Sequence, residues 1–321
     1  MQQMNDDIKV SIINRILKLI PPHVKPVNYL AETLDIGKES AYRRLRGEMS
    51  FSFTEMIKLS QDLKFSLDEI VGLTKDTPKA VIDLKIDKDP KQTFLEKFRK
   101  YKEEIDLRLQ DETSSTTMAL NCMPAEFCVH FKDIFKFFYF AWLHRKHTGL
   151  SKLYYSDIEI TPELELLRSK LNVSSLEVNN NTYIMDPNVF LGPLREVCYF
   201  RKLKLMNDDD FLLIKKNFHD MIDFVEKMVR TGGSEKGAKH LFYLSNFNID
   251  GNSSYSICDG NVRSSFNFHF YNRVIITNPE ICEIHKEWLD SLKKYSTLIT
   301  TSNEIVQANY FEKQREYIDR L

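Results

Sequence analysis

The chain has 321 residues, 42% hydrophobic and 28% charged, so it is long enough and apolar enough for two globular domains. The formal net charge is only -1, which excludes steering toward a polyanion by overall charge, so any basic surface must be local. The five cysteines stand singly without a Cys-x-x-Cys pair, which argues against a disulfide framework and indicates a reducing compartment, the cytoplasm.

The first 73 residues are predicted to be helical. The N-terminus is acidic and polar, unlike a secretory signal. Residues 8–20 have the apolar spacing of an amphipathic helix, and Pro21 and Pro22 end it. A short helix, a tight turn and a second helix with three arginines follow, and the pattern continues to about residue 73. We expect residues 1–73 to form a five-helix helix-turn-helix bundle.

The segment 30–47 predicts which side chains face inward. Leu30, Ala31 and Leu34 give the first helix an apolar side. Asp35 occupies the turn, where the backbone must be left-handed, a conformation that aspartate tolerates better than most residues. Ala41 and Leu45 lie one turn apart and are expected to face the core.

The opposite face of the second helix predicts contact with nucleic acid. It carries five polar side chains that reach outward: Lys38, Glu39, Tyr42, Arg43 and Arg46. Guanidinium groups can bond guanine O6 and N7 in bidentate fashion. Acidic and basic residues balance over 1–73, so an ordinary bundle with a solvated charged face remains the alternative.

Local signals mark the ends of these helices. Gly47 follows the second helix where a C-terminal cap is expected. Ser52 and Glu55 have the spacing of a capping box that begins the next helix.

The stretches LAETLDIGKESAYRRLRGE and SFTEMIKLSQDLKFSLDEIVG resemble the phage-repressor (Cro-like, XRE) helix-turn-helix family. The resemblance covers roughly residues 8–73. It implies sequence-specific binding of duplex DNA, usually by a dimer, with Lys38, Glu39, Tyr42 and Arg43 on the bases and Arg46 on the backbone. Two residues depart from the pattern: Asp35 replaces the customary turn glycine, and Ala41 replaces a branched aliphatic residue.

Residues 74–90 are predicted to be a linker, with a strand-like alternation at 82–86 between Pro78 and Pro90. A second amphipathic helix is expected over 91–111. Its apolar stripe comprises Phe94, Phe98, Tyr101, Ile105 and Leu109. The stripe can pair with its twin in a dimer or pack on its own C-terminal domain.

Residues 91–321 are predicted to form an α+β domain in a mainly α protein. A strand is expected near 113–123, and helices near 124–144, 162–171, 187–205, 208–231, 279–298 and 302–320. The apolar run 134–143 is too short to span a membrane and indicates a buried helix. Gly232 and Gly233 are expected to end the helix over 208–231. Strand-like runs with Asp-Gly turns at 250–251 and 259–260 predict one small antiparallel sheet within 240–277.

No sequence motif indicates catalysis or metal binding. The chain lacks a glycine-rich phosphate loop, Gly-x-Ser-x-Gly and His-Glu-x-x-His, and Cys122, Cys128, His144 and His147 match no common zinc spacing. We therefore expect no cofactor and no bound metal. Asp208, Asp209 and Asp210 have the character of an acidic helix N-terminus.

The leading hypothesis is a dimeric cytoplasmic DNA-binding regulator whose C-terminal domain senses a small-molecule or protein effector, or oligomerises. In the C-terminal part, the stretches TTMALNCMPAEF, FKDIFKFFYFAW and KKYSTLITTSNEIVQANYF loosely resemble uncharacterised helix-turn-helix proteins of Bacteroidetes-type bacteria, which implies no activity. One alternative is an interaction adaptor that uses a degenerate helix-turn-helix module. Another is an enzyme fused to such a module.

Overall fold

The computed structural model describes residues 2–21, 24–63, 65, 89–146, 152–234, 236–268 and 272–321. The chain divides into two compact units, Met1–Asp83 and Leu84–Leu321, which we name the helical module and the sheet domain. The division falls within the predicted linker, 74–90. The strand-like pattern at 82–86 lies outside the described residues.

The described part of the helical module contains four helices: α1 (Gln2–Leu19), α2 (Pro26–Leu34), α3 (Lys38–Leu45) and α4 (Phe53–Asp62). They enclose a mainly aliphatic core of buried side chains: Ile16, Ile20, Leu30, Leu34, Ala41, Met56, Leu59 and Phe65. The predicted five-helix bundle does not fit the described residues, which form four helices, with Phe65 buried just beyond α4. The residues expected to form a fifth helix, 66–72, lie outside the described part.

The sheet domain alternates helices and strands. Its described helices are α5 (Pro90–Gln110), α6 (Ala125–Cys128), α7 (Lys132–Lys146), α8 (Pro162–Ser174), α9 (Leu191–Lys202), α10 (Asp208–Thr231), α11 (Pro279–Lys294) and α12 (Glu304–Asp319). Its strands are β1 (Ser115–Leu120), β2 (Asn181–Met185), β3 (His240–Leu244), β4 (Ser253–Cys258), β5 (Asn261–Phe268), β6 (Asn272–Ile276) and β7 (Thr297–Leu298).

These strands form one seven-stranded mixed sheet in the order β6-β5-β4-β1-β2-β3-β7. β1, β2 and β3 run parallel, with Thr116 beside Asn181 and Asn181 beside His240, while the other pairs are antiparallel. The predicted small antiparallel sheet is therefore wrong. β2 was not predicted from the sequence, because its five residues are all buried and show no alternation of apolar and polar side chains. Parallel neighbours are also joined by long crossovers, which conceal the pairing.

The two Asp-Gly pairs behave differently. Asp259 and Gly260 have φ of 48° and 70° and join β4 to β5 in a hairpin, as predicted. Asp250 and Gly251 do not form the predicted hairpin, because β3 pairs with β2 and β7 and the chain then crosses to β4 beside β1. Asn252 holds that crossing, since its Oδ1 accepts hydrogen bonds from the N–H groups of residues 121 and 122 at 2.8 and 3.0 Å.

Helices cover both faces of the sheet. On one face Tyr183 stacks on Phe242, with ring centroids 4.7 Å apart, within a large aromatic core. On the other face α11 contributes Cys282 and Leu289, which pack with Ile184. The apolar stripe of α5 packs within its own domain: Phe94, Phe98 and Ile105 are buried, Tyr101 is partly buried, and Leu109 is exposed.

The buried helix predicted over residues 124–144 is divided into α6 and α7. The Nη1 group of Arg168 donates to the carbonyl oxygen of Val129 at 2.7 Å. In a continuous helix that carbonyl would accept the N–H four residues later, so the arginine satisfies it at the break. The prediction that 134–143 belong to a buried helix is confirmed, since every residue of this range except Lys136 is buried. The end of α10 at Gly232, with φ of 77°, is confirmed as well.

Candidate nucleic-acid interface

The turn between α2 and α3 depends on one residue with a left-handed backbone. Asp35 adopts φ 55° and ψ 50°, which confirms the prediction. Its N–H faces the Glu32 carbonyl at 3.4 Å, and the N–H of Ile36 bonds the Ala31 carbonyl at 3.1 Å. Aspartate visits this region more readily than most residues that carry a Cβ, so the turn closes without glycine. α3 begins at Lys38, and Gly37 is its N-cap residue.

The inner face of α3 packs on the core of the module through a small side chain. Ala41 is fully buried and lies in the same core as Leu30 and Leu59. Leu45 is partly buried against that core. Both predictions about the inward face are therefore confirmed.

The second of the three arginines is withdrawn from the outer surface. Arg44 forms a bidentate ion pair with Glu55, with Nε to Oε2 at 3.1 Å and Nη2 to Oε1 at 2.8 Å. Its Nη1 also donates to the Ser40 carbonyl at 3.1 Å. Only 12% of the Arg44 side chain and 15% of the Glu55 side chain are exposed. Arg44 therefore fastens α3 to α4.

Glu55 performs two structural tasks at once. It accepts the Ser52 N–H at 2.8 Å while Ser52 Oγ accepts the Glu55 N–H at 3.2 Å, which confirms the predicted capping box. Burial by itself raises the pKa of the Glu55 carboxyl. The hydrogen bonds from the Ser52 backbone and Arg44 outweigh burial, so the pKa lies below its usual value. The charged carboxylate is the form that holds α3 and α4 together.

A left-handed glycine ends the α3 segment. Gly47 has φ of 75° and donates to the Arg44 carbonyl at 3.0 Å, and Glu48 N–H bonds the Arg43 carbonyl at 3.0 Å. These two bonds make a Schellman motif, which confirms the predicted cap. The motif also turns the chain so that the side chain of Glu48 lies near α3.

The five side chains predicted to meet DNA all lie on the exposed face of α3 or at its end: Lys38, Glu39, Tyr42, Arg43 and Arg46. Tyr42 is 44% exposed, and the guanidinium of Arg46 lies 4.6 Å from the centre of its ring. This cation–π contact orders both side chains without removing them from solvent. The structure thus brings the five together on one surface.

This surface has an acidic neighbour, Glu48, that was not predicted from the sequence. Glu48 lies 3.8 Å from Arg43 Nε and 3.5 Å from Arg46 Nη1. All three side chains are about half exposed, so these ion pairs are weak and exchange readily with other anions. The spacing of Glu48 from the two arginines was visible in the sequence, but its orientation depends on the Gly47 turn.

The described residues of either unit contain no group of three or more His, Cys, Asp or Glu side chains placed to hold a metal ion. His147, one of the histidines considered for metal binding, lies outside the described part. Within that same part, no helix has the length and apolarity needed to cross a membrane.

Comparison with known proteins identifies no relatives: no family model, no curated protein and no solved structure matches this chain.

Proposed function

We propose that this protein is a cytoplasmic transcription regulator that binds specific sequences of double-stranded DNA through α3. The observation that carries the proposal is that the two faces of α3 have different contacts. Arg44 and Ala41 are used inside the module, while the side chains predicted to contact DNA share one exposed face. A helix of this kind, seated across a tight turn from its predecessor, fits the major groove.

The exposed side chains have distinct proposed roles. Arg43 offers a planar fork of donors to guanine O6 and N7, and Lys38, Glu39 and Tyr42 reach neighbouring base edges. Arg46, at the C-terminal end of α3, contacts the phosphate backbone. Glu48 releases its two arginines to DNA, because the ion pairs that it makes are half exposed.

A homodimer is part of the proposal. One α3 reads only a few base pairs, so two copies are needed for a site of useful specificity. In a two-fold dimer the two helices enter successive major grooves about 34 Å apart, and the operator is a palindrome. The sheet domain is then the part that dimerises, responds to an effector, or does both.

The test is selection of binding sites from fragmented genomic DNA with the full-length protein at physiological salt. Three proteins are compared: wild type, Arg43→Ala, and Lys58→Ala, which removes an exposed positive charge from α4. We expect an enriched palindrome. On the selected site, Arg43→Ala should cost about 1–3 kcal/mol, whereas Lys58→Ala should bind nearly as wild type does. Equal binding by wild type and Arg43→Ala would remove Arg43 from the readout.

A protein-binding adaptor is the second candidate, because two observations favour it. Phe53, the first residue of α4, is 75% exposed, and Glu48 offsets the charge of the arginines beside it. Exposed aromatic side chains often anchor protein interfaces. Weak DNA binding without sequence preference, together with loss of a protein partner in Phe53→Ala, would favour this candidate.

A further inference from the structure

The sheet domain contains a cleft of about 680 Å³. It is bounded by residues 154–156, by the end of α9 and by the chain that leads into α10. Sites for small molecules are commonly about 300–1,000 Å³, so this cleft is large enough for a metabolite-sized ligand.

Three cationic side chains line the cleft: Arg201, Lys202 and Lys204. One acidic side chain, that of Asp208, also lines it and accepts a hydrogen bond from Arg201 Nε at 2.9 Å. The same guanidinium lies 4.0 Å from the ring centre of Phe211. These two contacts hold its plane in place. Among the described residues no hydrogen bond engages its two terminal nitrogens, which form a prepared fork for a carboxylate.

Lys204 occupies a position where glycine is the usual residue. Its φ is 57°, its N–H bonds the Arg201 carbonyl at 2.9 Å, and the next N–H bonds the Phe200 carbonyl at 3.0 Å. This is the left-handed residue that follows a helix, where a side chain costs stability relative to glycine. The helix dipole favours a lysine anywhere in the last turn, so it does not explain this strained position. The backbone thus favours glycine here, yet the residue is a lysine that lines the cleft.

The rest of the lining combines polar residues, Ser156, Cys198 and Asn207, with apolar ones. Leu205 and Met206 form a buried floor, and Tyr154, which is 40% exposed, stands at the rim. A ligand that contacts both the cations and the apolar floor of the cleft has an anionic group at one end and an apolar ring or chain at the other.

We propose that this cleft binds small carboxylates with an apolar ring or chain, and that it is the effector site of the protein. The role of the cleft as an effector site rests on the proposed DNA binding, whereas the binding of a carboxylate to the cleft is independent of it. Titrations without DNA therefore separate failure of this inference from failure of the proposed function.

The experiment is isothermal titration of the full-length protein with 1-naphthoate, benzoate and octanoate. The controls are the neutral isostere 1-naphthamide and inorganic phosphate, which has charge but no apolar body. We expect at least one carboxylate to bind at least about tenfold more tightly than either control, since charge-assisted hydrogen bonds and the apolar floor act together.

The deciding variant is Lys204→Gly. Glycine suits the left-handed position, so the unliganded variant should melt at the same temperature or higher, and misfolding cannot explain a loss of binding. We expect its affinity for the carboxylate to fall about tenfold, while Lys216→Ala, on the exposed side of α10, binds as wild type does. Absence of binding by all three carboxylates, equal binding of 1-naphthamide, or unchanged affinity in Lys204→Gly would each overturn the inference.

Discussion

The helical module encloses a small, mainly aliphatic core, whereas the sheet domain encloses a large aromatic one. In the module, the turn at Asp35 and the capping box at Ser52 join residues that are close in sequence. In the domain, Phe140 contacts the rings of Tyr155 and Phe200, which come from distant segments. The difference shows that the module is specified by local rules that leave one face of α3 exposed. The domain is specified by long-range packing.

The largest expected effect is the loss of one aromatic ring from the domain core. Phe140 is fully buried, and its centroid lies 4.7 Å from that of Phe200. Phe140→Ala leaves a cavity and should destabilise the sheet domain by about 3–5 kcal/mol. Both tryptophans of the chain, Trp142 and Trp288, belong to this domain, so tryptophan fluorescence during urea unfolding reports it alone. An unchanged midpoint would contradict the packing described.

The next effect separates two adjacent arginines of α3. Arg44→Ala leaves the Glu55 carboxylate half-satisfied in a poorly solvated site and should destabilise the module by about 3 kcal/mol. Arg43→Ala changes an exposed side chain and should cost less than about 0.5 kcal/mol. Hydrogen exchange of the amides of α4 measures both. Equal exchange in the two variants would show that the ion pair does not fasten α3 to α4.

Acid should weaken the sheet domain through buried histidines. Burial lowers the pKa of His285 to about 4, and burial, with the nearby charge of Arg168, lowers that of His130 to about 4. In the unfolded chain these two histidines bind protons near pH 6.5. The folded sheet domain therefore has its full stability above that pH and loses part of its free energy of unfolding as pH falls toward about 4.

For His285 alone the loss between about pH 7.5 and about pH 5 should be at most about 2 kcal/mol. The measurement is the urea midpoint by tryptophan fluorescence at the two pH values. The ring nitrogens of His285 share hydrogen bonds with the hydroxyl groups of Ser264 and Ser253 at 2.9 and 3.1 Å. The glutamine of His285→Gln can replace one of these two hydrogen bonds, and its side chain does not titrate. The variant should therefore show a smaller pH dependence. An identical dependence would assign the effect to other groups.

The smallest expected effect concerns Glu48. Glu48→Gln removes the acid beside Arg43 and Arg46 and should tighten binding to the selected DNA site by a few-fold, about 0.5–1 kcal/mol. The gain should shrink at high salt, because the groups are exposed. Glu32→Gln, on α2, is the matched control. Tightening of the same size in that control would mean that only the net charge matters.

Much of the module could be predicted because its signals are local. Asp35, Gly47 and the Ser52–Glu55 pair each act on a backbone only a few residues away. Local signals could not predict that Arg44 is mostly buried while Arg43 is exposed. The orientation of Arg44 depends on a carboxylate in α4, and two neighbouring arginines have the same chemistry in a sequence.

Within the sheet domain, the sequence alone determined most helices, the hairpin at Asp259 and Gly260, and the buried character of α7. Only the tertiary structure decided that β1, β2 and β3 run parallel, that Arg168 satisfies the backbone between α6 and α7, and that Tyr154 lines the same cleft as the cations at 201–204. Helix periodicity and turn chemistry are properties of a few adjacent residues. Strand order and the meeting of distant side chains depend instead on how all the buried surfaces pack at once.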